Sequence, residues 1–319
     1  MTVHNNYALL AEVERSGFTE SRHFGSLVGL DASGSVVLAL GDVTAPVLPR
    51  STSKPLQAAG SLHAGAPLAA ERLAIAAGSH TGEERHVEAV LRVLADAGLT
   101  ADALRCPPAW PEDEPTRDAL IRAGEHEARV RHNCSGKHAA MLSACVASGG
   151  SIEDYLDPAH PVQQAIRATM ERLAGEPVAH VAVDGCGAPT LALTLTGLAR
   201  AIRQLALAAG DTPEAAVAGA MRAYPEFVGG TGHINTELMR ALPGTIAKGG
   251  AEGVLAVATA DGHAVAMKII DGSARACTPI ALHALAALGV DVAGARHLAA
   301  LPVLGGGRPA GSIRASFSE

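Results

Sequence analysis

The stretch Gly253–Asp271 reads GVLAVATADGHAVAMKIID: two apolar runs separated by Asp261-Gly262. Its valines and isoleucines suit a pleated surface, and Asp-Gly supplies the backbone freedom of a tight turn. The stretch therefore reads as a β-hairpin. Residues 24–40, FGSLVGLDASGSVVLAL, read the same way around the turn Asp31–Gly34. After the later hairpin, residues 277–290, CTPIALHALAALGV, carry an apolar helical pattern that Gly289 ends. Between the hairpins, helices are expected over residues 54–64, 82–98, 113–123, 135–148, 160–174, 190–208 and 213–223. One short strand, HVAVD at 180–184, interrupts them.

Strands near both ends of a chain most simply join one antiparallel sheet, with the intervening helices beside it. The expected fold is α+β: one catalytic unit over residues 1–319. Its sheet lobe takes roughly residues 1–55 and 245–319, and its helical lobe residues 56–244. A functional cleft belongs between the lobes.

Composition narrows the function. Hydrophobic residues make up 48% and charged residues 18%, ordinary for a soluble globular protein, while aromatics at 3% leave the core to Ala, Val, Leu and Ile. A net charge of −7 without any basic run argues against a nucleic-acid partner. Every apolar window is interrupted by Gly, Pro or charge, so no membrane span is expected. The opening MTVHNNYALLAEVERSG lacks the charged-then-apolar order of a signal peptide. With five cysteines, an odd number, reduced thiols and a cytoplasmic location are expected.

The basic residues divide into 21 arginines and only four lysines, Lys54, Lys137, Lys248 and Lys268. Arginine stays charged, whereas burial or a neighbouring charge can neutralise lysine. Lysines kept in so arginine-rich a chain are candidates for work arginine cannot do. Lys268, in an alternating run, reads as an outward-facing strand residue. The other three sit in turns: RSTSKP, NCSGKH and AKGGAEG.

In the first turn, Ser51 and Lys54 are three residues apart and share one face of a helical or 3₁₀ turn. A serine hydroxyl becomes a nucleophile when a base takes its proton, and a neutral lysine can do so. Pro55 belongs at the first helical position, with Ser51–Lys54 in the turn before it. A solvated N-cap cluster is the plainer alternative. In the second, Cys134 and Lys137 could join Cys186 of Asp184-Gly185-Cys186-Gly187 in a metal site of two thiolates and an amine, which favours zinc. Two buried cysteines beside an anion-binding turn remain the simpler reading of those residues. In the third, Lys248-Gly249-Gly250 leads into a strand, like the lysine-glycine element of penicillin-recognising enzymes, or is a flexible turn. Ser79, in Ser79-His80-Thr81-Gly82, is either a further hydroxyl or a helix N-cap.

In this order, RSTSKP, GSHTGE, CSGKH, DGCGAP and the lysine-glycine turn resemble the rhizobial-type (class 3, asparaginase II domain) L-asparaginases over nearly the whole chain. The resemblance implies a serine-β-lactamase-like fold and hydrolysis of L-asparagine. It implies Ser51 as nucleophile with Lys54, and Ser79 with Lys248 as a second pair. It also implies zinc on Cys134, Lys137 and Cys186, with Asp184, Arg50, Asn133 and His138 toward the substrate, and a homodimer. In GGTGHINTE, Asn235 stands where some members place a cysteine, which marks it as a specificity position. Three alternatives stay open: another amidase, a glutaminase or a β-lactamase-like hydrolase of this fold; a zinc-dependent hydrolase; and a non-catalytic binding module.

Overall fold

The computed structural model describes residues 6–317. Its strands are β1 (Ala8–Arg15), β2 (Phe18–Leu30), β3 (Val36–Leu40), β4 (Pro46–Val47), β5 (His180–Val183), β6 (Pro189–Thr194), β7 (Ile246–Gly250), β8 (Val254–Ala258), β9 (Ala264–Ile269), β10 (Ala300–Gly305) and β11 (Arg308–Ala315). The helices are α1 (Lys54–His63), α2 (Ala70–Ala76), α3 (Glu84–Asp96), α4 (Glu114–Arg122), α5 (Ser135–Ser148), α6 (Pro161–Ala174), α7 (Leu195–Leu207), α8 (Pro213–Ala223), α9 (Pro225–Val228), α10 (Ile234–Ala241) and α11 (Cys277–Ala287).

The fold is α+β. The main sheet is antiparallel, in the order β10-β11-β1-β2-β9-β8-β7, with β3 also paired to β2. The 13-residue β2 makes this possible: residues 18–25 pair with β1, residues 27–30 with β3, and β9 lies along its other side. Strands from the two ends of the chain thus interleave, as the hairpins imply. The β8–β9 hairpin forms, and five residues, 259–263, connect its strands, with Gly262 at φ +97°. Every residue of β8 is buried, so both faces of the hairpin are covered, by α7 and α11.

Two expectations need correction. The helix expected from residue 190 begins at Leu195, because Pro189–Thr194 forms β6 between β4 and β5. Thr194 then caps α7, its hydroxyl accepting the Gly197 N–H at 2.8 Å. Lys268 is half-buried, and its amine donates to the carbonyls of Glu252 and Ile269 rather than standing in water. The first strand, ALLAEVER, is composed of helix formers, and pairing on both sides with β2 and β11 overrides that propensity. Among the described residues, no helix is long and apolar enough to cross a membrane.

Helices α1, α2, α5, α6 and α8 form the helical layer, and α7 joins it to the sheet. Four histidines share one shift: His80, His86 and His138, all buried, and the half-buried His233. Burial lowers the pKa of each below 6.5, to about 4 for His233 and about 3 for His138. The unfolded chain therefore binds more protons than the folded one as pH falls below 6.5, and stability falls with it. Each such histidine contributes up to ~1.4 kcal/mol per pH unit. The urea midpoint should drop between pH 7 and pH 5, above the range where carboxylates titrate, with net proton uptake on unfolding. A flat midpoint across that interval contradicts neutral buried histidines.

Candidate active site

The turn before α1 is a 3₁₀ turn over Arg50–Ser53, followed by α1 from Lys54, with Pro55 one residue inside. Arg50 holds φ at +50°, a conformation side chains rarely adopt. The turn is tied down locally: Thr52 Oγ1 and the Thr52 N–H both donate to Pro49 O, and Ser53 Oγ donates to Arg50 O. The end of β7 lies against it. A Cβ on Gly250 would stand 3.0 Å from Pro49 O and 3.1 Å from the backbone nitrogens of Ser51 and Thr52. Glycine lets the strand approach this closely without displacing the turn.

Lys54 is fully buried, and its Nζ donates to Ser79 Oγ at 2.9 Å and to the Asn133 carbonyl at 3.0 Å. Lys248 is equally buried, and its Nζ donates to Ser79 Oγ at 2.9 Å and to the Gly249 carbonyl at 2.7 Å. Desolvation first, and then the charge of Lys54, hold the Lys248 amine well below its ordinary pKa. Two amines from opposite ends of the chain thus meet on one hydroxyl. Ser51 lines the same cleft as Ser79, a space of about 270 Å³, suited to a small molecule. Among the described residues, the Lys54 backbone N–H donates to the Ser51 carbonyl, but no hydrogen bond joins the Ser51 hydroxyl to the Lys54 amine, contrary to the side-chain pairing expected from their spacing. A buried ammonium satisfies itself on the acceptors the core offers it, here Ser79 and a carbonyl, rather than on a half-exposed neighbour.

Behind the cleft lies a cluster around the start of α5. Cys134, Lys137 and Cys186 are all buried. Lys137 Nζ donates to Cys186 Sγ at 3.2 Å and lies 3.9 Å from Asp184 Oδ2. Asp184 Oδ1 accepts from Arg50 Nε at 2.7 Å and from the Gly185 N–H at 2.9 Å. A hydrogen bond from Cys186 is the main cause holding Cys134 well below the usual thiol pKa, and it pushes Cys186 up. Burial works against the charge of Lys137, but Cys134, Cys186 and Asp184 outweigh it and raise its pKa.

Among the described residues, no three His, Cys, Asp or Glu side chains converge on a metal site. The expected zinc set needs the lysine amine, which the structure brings against Cys186. Two soft sulfurs and a buried amine beside a carboxylate fit zinc, which would displace the protons they now share.

The remaining expected residues differ in position. Asn133 lines the cleft and ties its parts together: its carbonyl accepts from Lys54, its Oδ1 from Cys134 Sγ at 3.1 Å, and its Nδ2 donates to Glu112 Oε1 at 2.6 Å. His138 is fully buried with Nδ1 2.7 Å from the Tyr155 hydroxyl, and it does not line the cleft. Asn235 is also buried; its Oδ1 accepts the Gly249 N–H at 2.7 Å, so it fastens β7 beside Lys248. Sequence reasoning missed Glu112 and His233, which both line the cleft. Glu112 sits in an acidic run before a helix, where first-turn carboxylates are commonplace, so nothing local marks it.

The sequence matches the family described as L-asparaginase II over residues 11–315. No curated protein matches it. Similar solved structures include a β-lactamase from Mycobacterium bovis, 13% identical with a TM-score of 0.47, covering 83% of this chain and 95% of that one. Another is a simvastatin synthase mutant from Aspergillus terreus, 10% identical with a TM-score of 0.36, covering 77% of this chain and 86% of that one. Likenesses this distant say nothing of chemistry. The family match spans both lysine-bearing ends of the cleft and the cysteine cluster between them: the chain belongs to the L-asparaginase II family and is a hydrolase acting on amides.

Proposed function

We propose that the protein hydrolyses the side-chain amide of L-asparagine to aspartate and ammonia, with Ser51 as nucleophile. The observation that carries this reading is the pair of buried amines, Lys54 and Lys248, both 2.9 Å from Ser79 Oγ in the cleft that Ser51 lines. Two ammonium groups so close repel, and burial penalises both charges, so one amine is readily neutral. That neutral amine takes the proton that Ser51 loses as its Oγ attacks the amide carbon. Hydrogen bonds of this kind tighten when substrate is bound. Ser79, bridging both amines, passes a proton to the departing nitrogen, and ammonia leaves. Water then cleaves the aspartyl-serine ester and restores the hydroxyl. The backbone N–H of Ser51, where β7 crowds the turn, is a donor for the developing oxyanion.

A second reading makes Ser79 the nucleophile, because both amines touch its hydroxyl directly. Mapping the covalent intermediate separates the two. Trapping during asparagine turnover should place the aspartyl adduct on the peptide containing Ser51. Ser51→Ala should lower kcat at least ~1000-fold and abolish the adduct, while Ser79→Ala should slow turnover yet still trap it. An adduct on Ser79, or Ser51→Ala near wild-type activity, overturns the assignment. Ammonia release from asparagine well above that from glutamine is expected, and the reverse ratio would make the enzyme a glutaminase.

Cys134, Lys137 and Cys186 are the residues that would hold zinc. When bound, the metal supplies Lewis acidity beside Asp184. Metal analysis of the purified protein should find about one zinc per chain, lost in both Cys134→Ser and Cys186→Ser. Full zinc content in both variants would remove the cysteines from the site.

A further inference from the structure

Basic side chains stand behind the residues that line the cleft. Lys54 and Lys248 converge on Ser79, while Lys137 and Arg50 stand around Asp184. The substrate proposed above carries an ammonium three bonds from its amide carbon, and that group needs an anion. Asp184 is already engaged: Arg50 and the Gly185 N–H occupy Oδ1, and Lys137 stands beside Oδ2. Glu112 is the one carboxylate among the residues lining the cleft. Among the described residues, its hydrogen bonding is confined to Oε1, which accepts from Asn133 Nδ2 at 2.6 Å. That contact fixes the carboxylate on the wall and leaves Oε2 free to accept. Asn133 in turn is held from the other side by Lys54, whose amine touches Ser79. The carboxylate is thus one residue removed from the reacting hydroxyls, and its charge is felt at Lys248.

We infer that Glu112 is a specificity-determining residue that receives the α-ammonium of the substrate, so that the cleft selects an amino-acid amide over a plain carboxylic-acid amide. This rests on the proposed asparaginase reading. Asn133, as donor to Glu112, sets where that ammonium sits relative to Ser51 and Ser79.

Glu112→Gln tests the inference, because it keeps an acceptor for Asn133 Nδ2 and removes only the charge. The substrates are L-asparagine and succinamic acid, which is asparagine without its amine. The variant should raise KM for asparagine roughly tenfold or more, the ratio expected of a charge-assisted hydrogen bond, with kcat little changed. KM for succinamic acid should stay at the wild-type value. Calorimetry with the products gives a readout without turnover: the variant should lose affinity for L-aspartate and keep it for succinate. Equal effects on both members of either pair, or no effect on either, overturn the inference. If wild-type protein releases no ammonia from asparagine, the substrate reading falls and takes this inference with it; turnover of asparagine with an indifferent Glu112→Gln sinks the inference alone.

Discussion

One hydroxyl holds the site together. Ser79 Oγ accepts from Lys54 at the start of α1 and from Lys248 on β7, so a single side chain joins the helical layer to the sheet. Removing an ammonium from water costs several kcal/mol, and placing two side by side compounds the penalty. The structure meets it by giving each amine a backbone carbonyl as well, Asn133 for Lys54 and Gly249 for Lys248, and by letting the Lys248 pKa fall. Burial and the neighbouring charge of Lys54 thus work together on the Lys248 amine.

The surrounding contacts keep that geometry narrow. Asn235 fastens the Gly249 N–H while Lys248 takes the Gly249 carbonyl, so one residue of β7 is pinned on both sides. Gly250 then lies against the Ser51 turn so closely that a side chain there would force the turn to give. On the other flank, Asn133 spends its carbonyl on Lys54, its Oδ1 on Cys134 and its Nδ2 on Glu112. Asn133 thus links Lys54, the cysteine cluster and the cleft wall by direct hydrogen bonds.

Much of this was legible in the chain. The hairpin at residues 253–271 was readable because β-branched runs around Asp-Gly carry local information, and its position near one end implied a sheet shared with residues 24–40. The lysines stood out because arginine does the ordinary surface work. Other features were not local. ALLAEVER has helix-forming residues and becomes a strand only between two partners. Residues 189–194 resemble the helix that follows them, and become β6 because β4 and β5 flank them. Glu112 looked like any carboxylate in an acidic run ahead of a helix.

The sequence alone determined which residues could do the chemistry: two serines, three turn lysines and two turn cysteines, each in a motif whose composition restricts its backbone. Only the tertiary structure decided which of them meet. Spacing in the Ser51–Lys54 turn predicts a local pair, yet Lys54 reaches Ser79, 25 positions along the chain, and Lys248 reaches the same atom from 169 positions away. The reason is that a buried amine must find acceptors, and where they lie is a property of the packed core rather than of any segment.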